Sequence, residues 1–223
     1  MINKENTLQN LNHEDEVERR YAVEDLASLH DDSIIPSLVT ALNDKSIGVR
    51  EAVVDALVTL SNKDVCELVY HLLESESVSL RNYAIEILVG CAPTSESYLI
   101  KAAQSNSVDV RKFAFDAIRL IYEQKHSLEE KTFACVVHAL NDLDENVLGS
   151  VIEFLGSTKK IDYMDILFLK LSSSAPWIQL NILFAMFEIS KEIAIEKLNN
   201  FDTSLLSEDA SSIFLKLKNG EKC

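Results

Sequence analysis

Apolar residues in this chain recur with a helical spacing that is itself repeated. In Val49-Arg50-Glu51-Ala52-Val53-Val54-Asp55-Ala56-Leu57-Val58-Thr59-Leu60, take Val49 as position zero. Apolar side chains then fall at plus four (Val53), plus eight (Leu57) and plus eleven (Leu60), with Arg50 at plus one. At about 100° per residue these positions share one face of a helix. The same template starts at Glu18 (Arg19, Ala22, Leu26, Leu29), Leu80 (Arg81, Ala84, Leu88, Cys91) and Val110 (Arg111, Ala114, Ile118, Ile121). Looser copies start at Val147 (Val151, Leu155) and Ile178 (Ile182, Met186, Ile189). Successive starts lie 31, 31, 30, 37 and 31 residues apart. Such a period predicts one supersecondary unit copied many times, not a single wrapped core.

Between templates the pattern predicts a shorter first helix, at 34–42, 65–73, 98–103, 133–140, 163–171 and about 193–198. The residue seven before each template start is apolar throughout: Leu11, Leu42, Leu73, Ala103, Leu140 and Leu171. Each unit is therefore a helix pair with a fixed internal register. Residues 1–11 read as a polar N-terminal cap with Leu8 and Leu11 as anchors, the outer face a stacked array needs. Residues 12–125 read as regular repeats, and 126–218 as divergent repeats plus a C-terminal cap, all within one array over 1–223. His30-Asp31-Asp32-Ser33 breaks the first template, with Asp32 or Ser33 placed to cap the next helix and Pro36 in its first turn. A last helix at 207–217 carries Lys216 and Lys218 near its C-terminus, where cations are favourable; 219–223 reads as a frayed end.

Composition narrows the class. With 47% apolar residues but only 5 Gly and 3 Pro in 223, the chain has core material and too few turn residues for a sheet protein. The class is all-α. The net charge is −15, from 36 acidic against 21 basic residues. That balance opposes phosphate neutralisation, and so nucleic-acid binding, and repels anionic membrane surfaces. The polar N-terminus lacks the apolar core of a signal peptide, and no apolar run reaches the roughly 18 residues of a membrane span. The four cysteines, Cys66, Cys91, Cys135 and Cys223, are far apart and form no C-x-x-C pair, so they read as reduced thiols rather than a disulfide framework or metal site. A cytoplasmic setting is expected.

Ile35-Pro36-Ser37-Leu38, Leu42-Asn43-Asp44 and Val49-Arg50 resemble short HEAT repeats of the bilin-lyase-like type, closely over 12–125 and loosely over 128–217. The Trp-x-x-Leu-Gly signature of tetratricopeptide repeats and the ankyrin Thr-Pro-Leu-His are missing. The resemblance implies a right-handed α-α superhelix of about six to seven helix pairs, a HEAT-repeat solenoid whose second helices line the concave side. The chain departs from the pattern at Leu148 and Gln179, which replace the plus-one Arg, and in six extra residues around 123–129.

Positions two, six and nine lie opposite the core face and are expected to be exposed. Position six reads Glu24, Asp55, Glu86, Asp116, Glu153 and then Phe184. Stacked units would align the five acids as a column able to receive Lys or Arg. Tyr21, Tyr83 and Phe113 at plus three stand beside it as rings for a partner's Arg. Arg20–Glu24 and Lys112–Asp116 have the spacing of favourable helical pairs, whereas Glu51–Asp55 pairs like charges. Around Phe184 the helix is apolar on nearly every side, with Leu180 and Phe187 at plus two and plus nine. That marks burial by the C-terminal helix or by tightened curvature, or else an apolar anchor for a partner or a dimer mate. Arg19, Arg50, Arg81 and Arg111 read as a structural ladder bonding carboxylates or carbonyls in the preceding turn, such as Asp44 near Arg50.

No catalytic constellation emerges. His13-Glu14 is similar to the His-Glu pairs of HEAT-type deoxyhypusine hydroxylases, yet His30, His71, His126 and His138 have no following Glu. HEAT-like alkylpurine glycosylases depend on a basic groove, which the charge contradicts. Gly-rich phosphate loops and nucleophile elbows are missing. The expectation is a non-catalytic scaffold without metal or cofactor that binds a partner protein through a basic segment, with inhibitor or immunity protein as a narrower form. The resemblance also permits a bilin lyase or isomerase subunit, or a related protein-modifying enzyme component.

Overall fold

The computed structural model describes residues 2–172 and 174–219, so the predicted frayed end beyond Asn219, with Cys223, lies outside them. Among the described residues every regular element is helical: fourteen α-helices and five 3-10 turns. The chain divides into two compact units, Met1–Thr132 and Phe133–Cys223. The first holds α1 (Lys4–Asn10), α2 (Glu16–Ser28), α3 (Ile35–Ala41), α4 (Ile47–Leu60), α5 (Lys63–Tyr70), α6 (Val78–Gly90), α7 (Glu96–Ala102) and α8 (Val108–Lys125). Then come α9 (Glu130–His138), whose first turn closes that unit, α10 (Glu145–Ser157), α11 (Met164–Leu171), α12 (Pro176–Ile189), α13 (Lys191–Asn199) and α14 (Glu208–Asn219). Helix pairing that recurs every 30 to 37 residues makes the protein an all-α repeat array.

Position zero of the sequence template is the third residue of α2, α4, α6, α8, α10 and α12. The start is set chemically. Minus three is Asp15, Ser46, Ser77, Ser107 or Asp144 in the first five, all favoured N-cap residues. The Asp15, Ser77, Ser107 and Asp144 side chains accept from first-turn N–H groups. In α12 Ala175 precedes Pro176, whose missing N–H costs nothing at the first helical position. The 3-10 turn before α3 is capped by Asp31 rather than Asp32 or Ser33, because the Asp31 carboxylate reaches the Ser33 N–H at 3.0 Å. The longer step before α10 arises because α8 runs to 18 residues, about one turn more than its counterparts.

Plus four and plus eight are buried in all six copies: Ala22, Val53, Ala84, Ala114, Val151 and Ile182, then Leu26, Leu57, Leu88, Ile118, Leu155 and Met186. Burying each larger aliphatic side chain contributes about 1.5–3 kcal/mol. The outward face is narrower than expected. Val89 and Gly156 at plus nine and Gly149 at plus two are buried. These positions abut the next second helix: a Cβ on Gly149 would lie 3.1 Å from the Trp177 ring, and one on Gly156 2.9 Å from Ala185. Plus nine, at about 180°, forms the flank toward the following helix, whereas plus two, at about 200°, joins it at Gly149 but is exposed at Arg20, Glu51 and Asn82. Plus six, at about 240°, escapes it.

The plus-one arginines bind backbone. Their Nη1 atoms donate to carbonyls five and six residues earlier: Arg19 to His13 and Glu14, Arg50 to Asp44, Arg81 to Ser75 and Glu76, Arg111 to Ser105 and Asn106. Each guanidinium thus ties its helix to the turn before it. The Asp44 carboxylate goes instead to the previous repeat, accepting from Arg19 Nε at 2.7 Å and Nη2 at 2.8 Å. Gln179 replaces the arginine in α12 and bridges different backbone, donating to Leu171 and Leu205 carbonyls and accepting from the Ser207 N–H.

Asp44 is held below the ordinary carboxylate range, first by the Arg19 hydrogen bonds. Asp31 is pushed down to about 2 by Lys4 and Ser33. For both, the folded pKa lies below the unfolded one. Their stabilisation is therefore complete above about pH 4 and fades as pH falls toward the folded values. Urea midpoints should drop in the native protein over that interval. Asp44→Asn should start lower at pH 7 and show a shallower acid slope; an unchanged slope would contradict the Arg19 bridge.

Candidate functional site

In the first unit a groove of about 490 Å³ crosses α4, α6 and α8. Val54, Val58, Ile85, Val89 and Leu120 give it an apolar lining, while Asp55 and Glu86 supply carboxylates and Asn82 and Gln124 amides. The repeat produces this arrangement: Asp55 and Glu86 are the plus-six residues of consecutive second helices. Gly90 lets the helices close at its floor, since a Cβ there would lie 2.7 Å from the Val58 methyl groups.

The four first-unit acids differ in company. Glu24 pairs with Arg20 at 3.3 Å and Asp116 with Lys112 at 2.6 Å, both one helical turn apart. Asp55 and Glu86 are exposed and have no ion-pair partner among the described residues. The middle of the strip therefore carries its uncompensated charge. Glu153 is exposed on α10 in the second unit.

The rings expected to hold a partner's arginine hold the chain's own. Arg50 lies 6.0 Å from the Tyr83 ring centroid and donates from Nε to its hydroxyl at 3.0 Å. Arg81 lies 5.6 Å from the Phe113 centroid, and Arg20 5.7 Å from that of Tyr21. Plus one of one repeat meets plus three of the next, so the ladder continues sideways through aromatic rings. His13-Glu14 likewise has a structural use, its two carbonyls receiving Arg19.

In the second unit, α12 buries Ile178, Ile182, Leu183, Ala185 and Met186 against neighbours that include α10, α11 and α14. Leu180 and Phe187 are half-buried, whereas Phe184 remains 43% and Trp177 39% exposed. Most of the helix is covered, and a narrow aromatic stripe is not.

Sequence reasoning missed the apolar lining of the groove. Val58 and Val89 at plus nine were the available signal, because apolar residues on a face expected to be solvated mark a second contact.

Residues 5–89 match the family profile of HEAT repeats. That stretch is similar to HEAT repeats. It ends inside α6, and helix pairing with the same buried template positions recurs through α12. Among curated proteins none matches the sequence. Solved structures resemble it at low identity. A HEAT-like repeats protein from the archaeon Thermococcus onnurineus is 16% identical, with 86% of this chain and 88% of that one covered and a TM-score of 0.46. The complex of CpcE and CpcF of phycocyanin lyase from Nostoc sp. is 16% identical, with 99% and 95% covered and a TM-score of 0.39. Computationally designed armadillo repeat proteins for modular peptide recognition are 20% identical, with 83% and 99% covered and a TM-score of 0.44. Among the described residues no helix is long and apolar enough to cross a membrane.

Gly90→Ala tests the floor of the groove. Replacing glycine within a helix gains up to about 1 kcal/mol, less at this last helical residue, while overpacking Val58 costs about 1–3 kcal/mol. The variant should be less stable by about 1 kcal/mol in urea denaturation. A stabilised variant would show that the α4–α6 contact is looser than described.

Proposed function

We propose that the protein is a non-catalytic scaffold whose first-unit groove holds a basic segment of a partner protein. The observation carrying this reading is the pair Asp55 and Glu86: exposed, without ion-pair partners, on adjacent helices, and bordered by Val58, Val89 and Leu120. Carboxylates orient lysine or arginine and speed the encounter, whereas the apolar lining supplies area that water gives up on binding. A net charge of −15 adds long-range attraction for a cationic partner. The fitting segment combines basic with aliphatic side chains. An inhibitor or immunity protein acting on a basic target is one form of this role.

Fluorescence anisotropy with a labelled peptide of alternating basic and aliphatic residues provides the test. The native protein should bind it more weakly as salt rises, since exposed charges are screened. Asp55→Arg combined with Glu86→Arg should weaken binding about tenfold or more, as expected for about 0.7 kcal/mol or more per exposed charge contact. Equal affinity in native and double-variant protein, or equal binding of an acidic peptide, would refute the groove.

A further inference from the structure

The first and last helices of the series are finished differently. In α1 the exposed residues, Glu5, Asn6, Gln9 and Asn10, are all polar, as a terminal element of a stacked array requires. The last helix, α14, buries Ala210 and Phe214 and packs on α12, yet its Leu215 is 57% exposed. Exposed Lys216 and Lys218 stand on either side of that leucine, about 100° and 60° away around the helix. Their charge suits a helix C-terminus, which accounts for the two lysines but not for the leucine between them. The Lys216 side chain has no ion pair among the described residues. Lys218 makes one exposed hydrogen bond, from Nζ to the Asn199 side chain at 2.7 Å. The first-unit groove carries the reciprocal pattern, with Val58, Val89 and Leu120 apolar and Asp55 and Glu86 acidic. Lys112 and Arg119 of α8 pair with Asp116 and Glu123 of their own helix and leave that acidic pair uncompensated.

We propose that the occupant of the groove is the last turn of α14 from a second copy of this chain, which rests on the groove reading above and names its partner. Leu215 of one copy enters the apolar lining of the other, and Lys216 and Lys218 meet the Asp55 and Glu86 carboxylates. Those carboxylates stand on neighbouring helices, about 8–10 Å apart, a span that two flexible lysine stems cover from either side of one leucine. Glu208 and Asp209 in the first turn of α14 oppose the contact. They lie about 10–15 Å back along the axis, beyond the roughly 8 Å over which exposed charges act at physiological salt. The net charge of −15 on each copy also repels the other at long range. Salt screens that repulsion more than it weakens ion pairs in direct contact. Donor helix and acceptor groove are different surfaces, so the copies join head to tail rather than as a two-fold dimer. One helix turn in one groove is a small interface, and the association is therefore weak and reversible.

Sedimentation equilibrium of the full chain at about 0.15 M salt, from about 10 μM to about 1 mM protein, provides the test. The weight-average mass of the native protein should rise with concentration. Asp55→Arg with Glu86→Arg, and separately Lys216→Glu with Lys218→Glu, should each move that rise to about tenfold higher concentration or more, with helicity unchanged by circular dichroism. Mixing the two double variants in equal amounts should restore association, because each then offers the other opposite charges. A folding defect would not be rescued in this way. A monomer mass at every concentration of the native protein overturns the second copy as occupant; if that monomer still binds the labelled basic and aliphatic peptide, the groove reading stands without it, and if it does not, both fall. Tighter peptide binding by a monomeric Lys216→Glu, Lys218→Glu variant would assign the groove to the chain's own α14 and overturn the proposal equally. So would a mixture no more associated than either variant alone.

Discussion

In the first unit a second helix with neighbours on both sides must bury three sides at once. Its plus-four and plus-eight residues face its own first helix, its plus-nine side meets the following second helix, and its plus-three and plus-seven side meets the preceding one. A helix pair taken alone would leave two of these sides wet, so no pair has a complete core of its own. The two glycines of α10 show how tightly this binds: Gly149 and Gly156 are buried because Trp177 and Ala185 of α12 occupy the space a side chain would need. What the packing leaves open is a narrow strip at plus six, joined by plus two at Arg20, Glu51 and Asn82.

The arginine ladder fixes the register of that packing. Carbonyls five and six residues before each arginine belong to the turn ahead of the helix, where first-helix residues have left hydrogen-bond acceptors without regular partners. One guanidinium gathers them and still has Nε to spend laterally, on Asp44 in the case of Arg19 and on the Tyr83 hydroxyl in the case of Arg50. A lysine in those places would offer a point charge without the planar fork that reaches both directions. Gln179 shows the limit of the rule, since its shorter amide serves the loop before α14 instead.

How much of this could be read from the chain depends on whether an interaction lies within one repeat or between two. The core face was legible: the plus-four and plus-eight template picked buried residues in all six helices, and the offset of minus seven placed Leu42, Leu73, Ala103, Leu140 and Leu171 in the core. Helix starts were legible within a few residues, because caps are local chemistry. Contacts between repeats were not. The flank positions depend on how far one helix is shifted along the next, which periodicity does not encode. The same blindness explains the aromatic rings: Tyr83 and Phe113 are outward on their own helices yet meet Arg50 and Arg81 from the repeat before. Of the acid column, the exposure of plus six was legible, but which members keep an uncompensated charge depended on pairing geometry along each helix.

A position packed against nothing is free to vary in chemistry without disturbing the fold. Plus six can therefore be Glu24 or Asp116, each neutralised by a basic residue one turn earlier, or Asp55, whose turn-earlier neighbour is Glu51. That like-charge pair costs a few tenths of a kcal/mol and helps the helix in no way. Its effect is to leave charge in the groove that a Lys at the same place would cancel. On α12 of the second unit the same position becomes Phe184, where α10 still carries Glu153, and it changes from carboxylate to aromatic while α12 still buries most of its other residues. Stability resides in the flanks and core, and the repeat leaves the chemistry of the strip free to vary on separate residues. Changing Asp55 and Glu86 should consequently alter binding while leaving the unfolding midpoint within about 0.5 kcal/mol of the native value, which separates loss of recognition from loss of fold.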